Sequence, residues 1–217
     1  MRNKTFISSM VAVVAALAGS ASAAMTFDSF TVSQSQSADG LSSGVNWASP
    51  TSSQPIFGAS GTRVAFAYNN NGGPGSASVS GGTATFTTAI GGAGLFYSGN
   101  AQDLTGYTFS FDLSMTGEVG NTFFEVDFGI ANGTYAAFVL DYTTAGTYTV
   151  DLSTVPSNSE FLGVFDFTAI TDITISMTAQ SYSGGSATVS NFTYTPAPGA
   201  LALLGAAGLA GARRRRA

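Results

Sequence analysis

The fold is decided by the stretch Tyr107-Thr108-Phe109-Ser110-Phe111-Asp112-Leu113-Ser114-Met115. Large apolar residues alternate strictly with polar ones along it. Because successive side chains of a β-strand point to opposite sides of the sheet, this pattern predicts a strand with one buried and one exposed face. A second stretch, Phe124-Glu125-Val126-Asp127-Phe128-Gly129-Ile130, repeats the alternation and predicts a second strand of the same kind.

The region around these two stretches consists of short β-branched and aromatic runs separated by glycine-rich turns. Further strands are expected at residues 26–32, 62–68, 77–80, 83–88, 94–98, 134–142, 147–152, 172–180 and 186–194. Turns are expected at 69–75, 81–82, 91–94 and 184–185, and one short helical turn near 165–170. Val189 and Phe192 break the alternation of the last strand, which predicts a β-bulge near Ser190. The pattern favours an all-β fold, an antiparallel two-sheet β-sandwich of jelly-roll-like form.

The alternation also predicts which side chains fill the core. We expect seven to be buried: Phe109, Phe111, Phe124, Val126, Phe128, Ile173 and Ile175. Residues 33–55 are polar and weakly patterned, so we expect a long surface loop there. Trp47, the sole tryptophan, lies in this segment. Two interpretations of it stay open: the ring tucks against the sandwich, or it forms an exposed platform that stacks on a sugar.

The composition excludes several classes of chemistry. The chain contains no Cys and no His, which rules out Ser-His-Asp and Cys-His catalysis and an ordinary zinc site. Residues 24–195 hold a single basic residue, Arg63, and all twelve acidic residues of the chain. So acidic a body is not expected to bind nucleic acid or anionic polysaccharide by charge, but it is compatible with neutral glycans.

The N-terminus has the features of an export signal. Arg2 and Lys4 precede an apolar helix-forming stretch, residues 6–18, and small residues follow at Ala21 and Ala23. We expect the export translocon to recognise residues 1–23 and signal peptidase to cut after Ala23, with the bond after Ala24 as second choice. The body, residues 24–195, is then one domain.

The C-terminus, residues 196–217, has three parts. Pro196, Ala197, Pro198 and Gly199 form a hinge, an apolar stretch extends to residue 212, and a basic block ends the tail: Arg213, Arg214, Arg215 and Arg216. The apolar stretch is shorter than the roughly 20 residues that span a bilayer. The basic block is expected to stay in the cytoplasm.

This tail resembles the PEP-CTERM sorting signal of exported bacterial proteins, with Ala197 where Glu is usual. The resemblance implies transient anchoring in the inner membrane by a short C-terminal helix and processing by an exosortase-type enzyme. It also implies a destination at the cell surface, in the outer envelope or in an extracellular polysaccharide matrix.

Two weaker resemblances concern the body. Glu125 and Asp127 resemble part of the Glu-x-Asp-x-Glu signature of jelly-roll glucanases, in which Gly129 replaces the third acid. The order of the body, with Asp28 in the first strand and Val189-Ser190-Asn191-Phe192 at the end of the last, is similar to galactose-binding-like jelly-roll modules, which often hold a structural calcium ion near those two strands. That resemblance implies Asp28 and Asn191 as candidate ligands, whereas ordinary turn and cap hydrogen bonds are the alternative.

These observations support a non-enzymatic surface or matrix protein, structural or adhesive, with glycan binding as its activity. The alternative is a secreted carboxylate-based glycoside hydrolase that uses Glu125 and Asp127. An exposed aromatic strip would favour binding, and an acid that faces the pair from a loop would favour hydrolysis.

Overall fold

The computed structural model describes residues 23–38, 44–51, 55–69, 73–141, 144–153 and 165–197. The predicted signal helix and hydrophobic sorting helix lie outside these ranges. Within them the chain forms eleven strands: β1 Met25–Asp28, β2 Gln34–Ala38, β3 Gly44–Trp47, β4 Thr62–Asn69, β5 Gly75–Ser80, β6 Thr83–Gln102, β7 Thr108–Thr116, β8 Thr122–Ile130, β9 Tyr135–Asp141, β10 Gly146–Asp151 and β11 Ile170–Thr195. Every pairing between them is antiparallel. The all-β, antiparallel prediction is confirmed.

Two long strands, β6 and β11, organise the body because they pair with each other in both halves of the sandwich. Near residue 91 of β6, and between Gln180 and Gly185 of β11 where the register shifts, the strands pass from one layer to the other. The front layer has the strand order β9-β8-β11-β6-β4-β3. The back layer has the order β10-β7-β11-β6-β5-β2, and β1 pairs with the last residues of β11.

The two layers pack face to face through aromatic side chains. The ring of Phe109 on β7 lies 5.4 Å from that of Phe128 on β8, and the rings of Phe111 and Phe124 are also 5.4 Å apart. Since β7 and β8 are not hydrogen-bonded neighbours, these contacts cross between the layers. All seven side chains predicted to be buried are at most 2% exposed. The predicted strand register is therefore confirmed.

The glycine-rich segments behave in two ways. Gly81 and Gly82 form the predicted turn between β5 and β6, with φ of 60° and 89°. The turns predicted at 91–94 and 184–185 are wrong, because β6 and β11 continue through both segments. The predicted bulge near Ser190 is confirmed: the register shifts between Ser190 and Thr193, and the intervening Asn191 has a φ of 51°.

The polar N-terminal segment is more ordered than its sequence suggests. The long loop predicted at 33–55 is wrong, because β2 and β3 lie within it and pair with β5 and β4. The predicted helical turn near 165–170 is confirmed as a 3-10 helix, Phe167–Ala169, and a second one spans Pro55–Ser60. The described part of the chain contains no helix that is long and apolar enough to span a bilayer.

A buried ion pair ties the N-terminal strands to the core. Arg63, 1% exposed, donates to Asp28 at 2.7 Å from Nη1 and to Gln34 at 3.2 Å from Nε. The second carboxyl oxygen of Asp28 accepts from the Phe30 backbone N–H at 2.7 Å, and Tyr97 donates to Asp28 from its hydroxyl. Burial is the main cause that raises the pKa of Tyr97, so the phenol stays a donor. The network connects β1, β2, β4 and β6.

Candidate functional site

The outward surface of the front layer, here called the front face, carries the aromatic, hydroxyl and carboxylate side chains that form the candidate site. Residues that are paired in register on neighbouring strands lie on the same side of a sheet. Six strands at the usual spacing make the face about 24 Å wide. From β3 to β9 its side chains are Val45, Trp47, Thr62, Val64, Phe66, Tyr68, Phe96, Ser98, Asp172, Thr174, Ser176, Thr178, Phe123, Glu125, Asp127, Tyr135, Ala137, Val139 and Asp141.

An aromatic strip occupies the β3 side of the front face. Trp47 is 55% exposed, and its ring lies 5.3 Å from that of Phe66 and 5.9 Å from that of Phe96. Phe66 and Tyr68 have nearly parallel rings, with centroids 6.5 Å apart and an angle of 9° between the ring planes. The sequence predicts a loop around Trp47. The structure instead places Trp47 on strand β3, where its ring lies beside those of Phe66 and Phe96.

Two glycines of β6 form the floor beneath the strip. A Cβ at Gly94 would lie 2.9 Å from Cζ of Phe66, and one at Gly92 would lie 2.6 Å from the Tyr68 hydroxyl oxygen. The rings of Phe66 and Tyr68 thus lie flat across the glycines of the neighbouring strand. The Tyr68 hydroxyl also reaches within 3.4 Å of Thr178 Oγ1 on β11. This packing fixes the rings before any ligand arrives.

Four carboxylates lie on the β8 side of the front face, and three of them line one cavity, whereas the fourth, Asp141, lies on β9 opposite Phe123. Glu125 and Asp127 lie on β8 and Asp172 on β11, and all three line a shallow cavity of ≈ 260 Å³ together with Thr174 and Tyr135. The carboxyl group of Asp172 occupies the space that a side chain at Gly129 would need. Gly129 stands where the glucanase signature has its third acid, and the carboxyl group of Asp172 on the neighbouring strand β11 lies there instead.

Asp172 differs from the other acids in its environment. Burial raises the pKa of its carboxyl group, an effect that a hydrogen bond from the Thr171 hydroxyl, 3.0 Å away, partly offsets. Glu125 and Asp127 point away from the core, as the alternation predicts, since Phe124, Val126 and Phe128 are buried. Within the described ranges no group of three acids converges closely enough to hold a metal ion.

The residues considered for calcium have other partners. Asp28 is 6% exposed and uses both carboxyl oxygens in the network of Arg63. Asn191 is exposed and donates from Nδ2 to Asp112. Of the turn and cap hydrogen bonds named as the alternative, Asp28 makes one, to the Phe30 N–H, beside its ion pair, whereas Asn191 bonds to a side chain of the neighbouring strand β7.

The terminal signals are described only in part. Ala23 is exposed and lies two residues before β1, and Pro196 and Ala197 follow β11 directly. The remaining predicted processing and sorting residues, Ala21, Pro198, Gly199, Arg213, Arg214, Arg215 and Arg216, lie outside the described residues.

Neither a protein-family model nor a curated protein sequence matches this chain. Solved structures with a similar chain trace include the family 11 carbohydrate-binding module of the cellulosomal cellulase Lic26A-Cel5E of Clostridium thermocellum, with a TM-score of 0.43 and 18% identity over 82% of this chain and 97% of that one. Another is the agarase AgWH50C, with a TM-score of 0.45 and 15% identity over 68% of this chain and 25% of the agarase. Similarities this distant do not assign a function, so the interpretation rests on the front face itself.

Sequence reasoning missed Phe66, Tyr68, Phe96 and Asp172 as members of the site. A signal for the first two exists in β4, where Phe66 and Tyr68 alternate with Ala65 and Ala67. The alanines point into the core and the rings point outward, which reverses the usual arrangement. Nothing in the sequence around Asp172 indicates that it reaches over Gly129 on another strand.

Proposed function

We propose that this chain is an exported surface or matrix protein whose jelly-roll-like body binds a neutral polysaccharide on its front face. One observation carries the proposal: an outward-facing aromatic strip, in which Trp47 is 55% exposed and packs on the largely covered ring of Phe66, lies on the same sheet face as a row of hydroxyl and carboxylate side chains. Sugars have apolar C–H faces and hydroxyl edges. A face with both kinds of group fits that chemistry.

The two sides of the front face would contact different parts of a sugar, because one side is aromatic and the other is rich in hydroxyl and carboxylate groups. Trp47, with Phe66 and Phe96 beside it, offers an apolar platform for a sugar ring. Thr174 and the carboxylates Glu125 and Asp127, which line the cavity, accept hydrogen bonds from sugar hydroxyl groups. The same carboxylates disfavour uronic acids and sulfated glycans by charge repulsion. A neutral chain that extends across the strands can engage both halves.

We favour binding over hydrolysis because the acids that line the cavity, Glu125, Asp127 and Asp172, include none that faces the pair from a loop. Glycoside hydrolysis requires two carboxyl groups that flank the scissile bond. The glucanase signature that Glu125 and Asp127 resemble has a third acid on the same strand, and this position is Gly129 here. The alternative hydrolase keeps one supporting observation, the third carboxylate supplied by Asp172.

The export part of the proposal rests on the terminal sequences. We infer that the translocon and signal peptidase release the body after Ala23 and that the tail holds it transiently at the inner membrane. An exosortase-type enzyme then acts at the hinge of Pro196, Ala197, Pro198 and Gly199. Its destination is the cell surface or the extracellular matrix, where polysaccharide is available.

A glycan array probed with the purified exported protein tests the proposal. We expect binding to neutral polysaccharides, weak or absent binding to anionic ones, and loss of the signal in Trp47→Ala. The bound polysaccharides are then assayed for reducing ends. Release of sugar that Glu125→Gln abolishes would support hydrolysis instead, and an array with no bound glycan would contradict the binding proposal.

A further inference from the structure

The beginning and the end of the body meet at one corner of the sandwich. β1 pairs antiparallel with the end of β11, so that Met25 lies opposite Tyr194. Partners in such a pair have Cα atoms roughly 5 Å apart. The predicted signal-peptidase site after Ala23 and the hinge after Thr195 therefore lie beside each other.

The first two hinge residues pack against this corner. Pro196 is buried and Ala197 is half-buried, although both follow the last strand residue, Thr195. A Cβ at Gly106, in the turn between β6 and β7, would lie 3.1 Å from the Cβ of Ala197. A side chain at Gly106 would therefore require Ala197 to shift by a few tenths of an ångström.

The strand that leads into the hinge is itself held from several sides. Thr195 pairs with Thr108 of β7, and the ring of Tyr194 stacks on that of Tyr107 at 6.0 Å. On its other side Tyr194 has β1 as a neighbour. Separating Pro196 and Ala197 from the body would therefore disturb a buried strand end, which opens rarely.

We propose that Pro196 and Ala197 belong to the folded body, that the turn at Gly106 holds them, and that the removable tail begins at Pro198. A protease requires an extended segment free of its fold, so the bond between Pro196 and Ala197 is shielded while the corner is intact. The biological meaning rests on the proposed sorting tail. The shielding itself does not depend on which enzyme removes the tail.

A proline-specific endopeptidase tests the boundary, because the hinge presents one target bond after Pro196 and another after Pro198. The full-length chain in detergent is digested, and mass spectrometry follows both cuts. We expect the cut after Pro196 to be at least about tenfold slower than the cut after Pro198. The same chain unfolded in urea supplies the intrinsic rates of both bonds.

Matched variants separate the corner from general loosening of the fold. Gly106→Leu should displace Ala197 and bring the two rates together. Gly120→Leu is the control, since Gly120 has nearly the same φ, 75° against 72°, and no atom near its missing side chain. Ala197→Leu enlarges the other side of the contact and leaves the turn unchanged, so it should act as Gly106→Leu does if that variant fails to fold.

Three results would overturn the proposal: equal cutting after Pro196 and Pro198 in the native protein, no cutting at either bond, or equal behaviour of the Gly106 and Gly120 variants. None of these results depends on the proposed sorting enzyme, because an added protease makes the cuts. Retention of the whole tail by the protein recovered from its host would instead refute the proposed processing and leave the corner intact.

Discussion

Replacing Asp28 with asparagine tests the buried network that anchors β1 and β2 to the core. The change removes the charge that faces Arg63 and replaces one oxygen with an amide NH2 group. Asp28 accepts on one oxygen from the Phe30 N–H and on the other from Arg63 and Tyr97. In either orientation of the new amide, its NH2 group would face another donor.

The expected loss follows from that geometry. Breaking one partner of a buried ion pair leaves an uncompensated charge and costs about 3–5 kcal/mol. Arg63 is 1% exposed, so water does not replace the lost carboxylate. For a body of this size the loss corresponds to a decrease in Tm of roughly 6–20 °C.

Urea denaturation of the purified protein measures the effect as a lower midpoint at an unchanged m value. Asp112→Asn is the matched control, because Asp112 is an acid on the outer side of β7 that also accepts from two side chains. Its midpoint should hardly move. In the double variant Asp28→Asn/Arg63→Met the loss should be smaller than the sum of the two single losses. A loss below about 1 kcal/mol for Asp28→Asn would refute the role assigned to the ion pair.

Three further predictions concern the core, the front face and maturation. Phe111→Ala or Phe128→Ala should lower the free energy of unfolding by about 3–5 kcal/mol. The control Val119→Ala, at a 71% exposed residue, should change it little. If chemical denaturation showed no loss at either Phe, the strand register would be wrong by one residue. Asp172→Asn should raise the urea midpoint at pH 7. Burial raises the pKa of the Asp172 carboxyl group, so the folded protein loses stability as the pH rises through that pKa, and asparagine removes this loss. The difference from the unmodified protein should disappear near pH 3, and an advantage that persists there would contradict the assignment. Intact-mass measurement of surface or medium protein should find a chain that begins near Ala24 and lacks Arg213 to Arg216, and an extracellular species that keeps this basic block would contradict the sorting interpretation.

The sequence predicted the core better than the front face, for a physical reason. Strict alternation in β7 and β8 identifies the buried side of each strand, because only one side can be apolar when the other meets water. The glycine-rich run 91–94 predicts a turn, yet Gly92 and Gly94 lie within β6. The rings of Tyr68 and Phe66 lie over these glycines, and this contact between strands is not visible in the local sequence. The position of Asp172 above Gly129 likewise depends on the register between β11 and β8, which no single segment specifies.

The polar segment before Pro55 shows the same limit. Weak alternation there suggested a loop, yet β3 forms because β4 offers it an unpaired edge, with Trp47 opposite Phe66. Cross-strand contacts between aromatic rings stabilise that pairing. The sequence therefore identified Trp47 as a candidate, and only the sheet revealed the neighbours that make it part of a strip.

Isothermal titration calorimetry with a neutral polysaccharide selected from the array tests polysaccharide binding by the front face most directly. The unmodified protein is compared with Trp47→Ala and with Tyr182→Ala, which removes a 74% exposed aromatic ring at the bend of β11, away from the strip. Loss of an aromatic anchor costs about 2 kcal/mol or more, so the affinity of Trp47→Ala should decrease at least about 30-fold. The affinity of Tyr182→Ala should stay within about twofold of the original. Equal binding by Trp47→Ala and the unmodified protein would contradict the account.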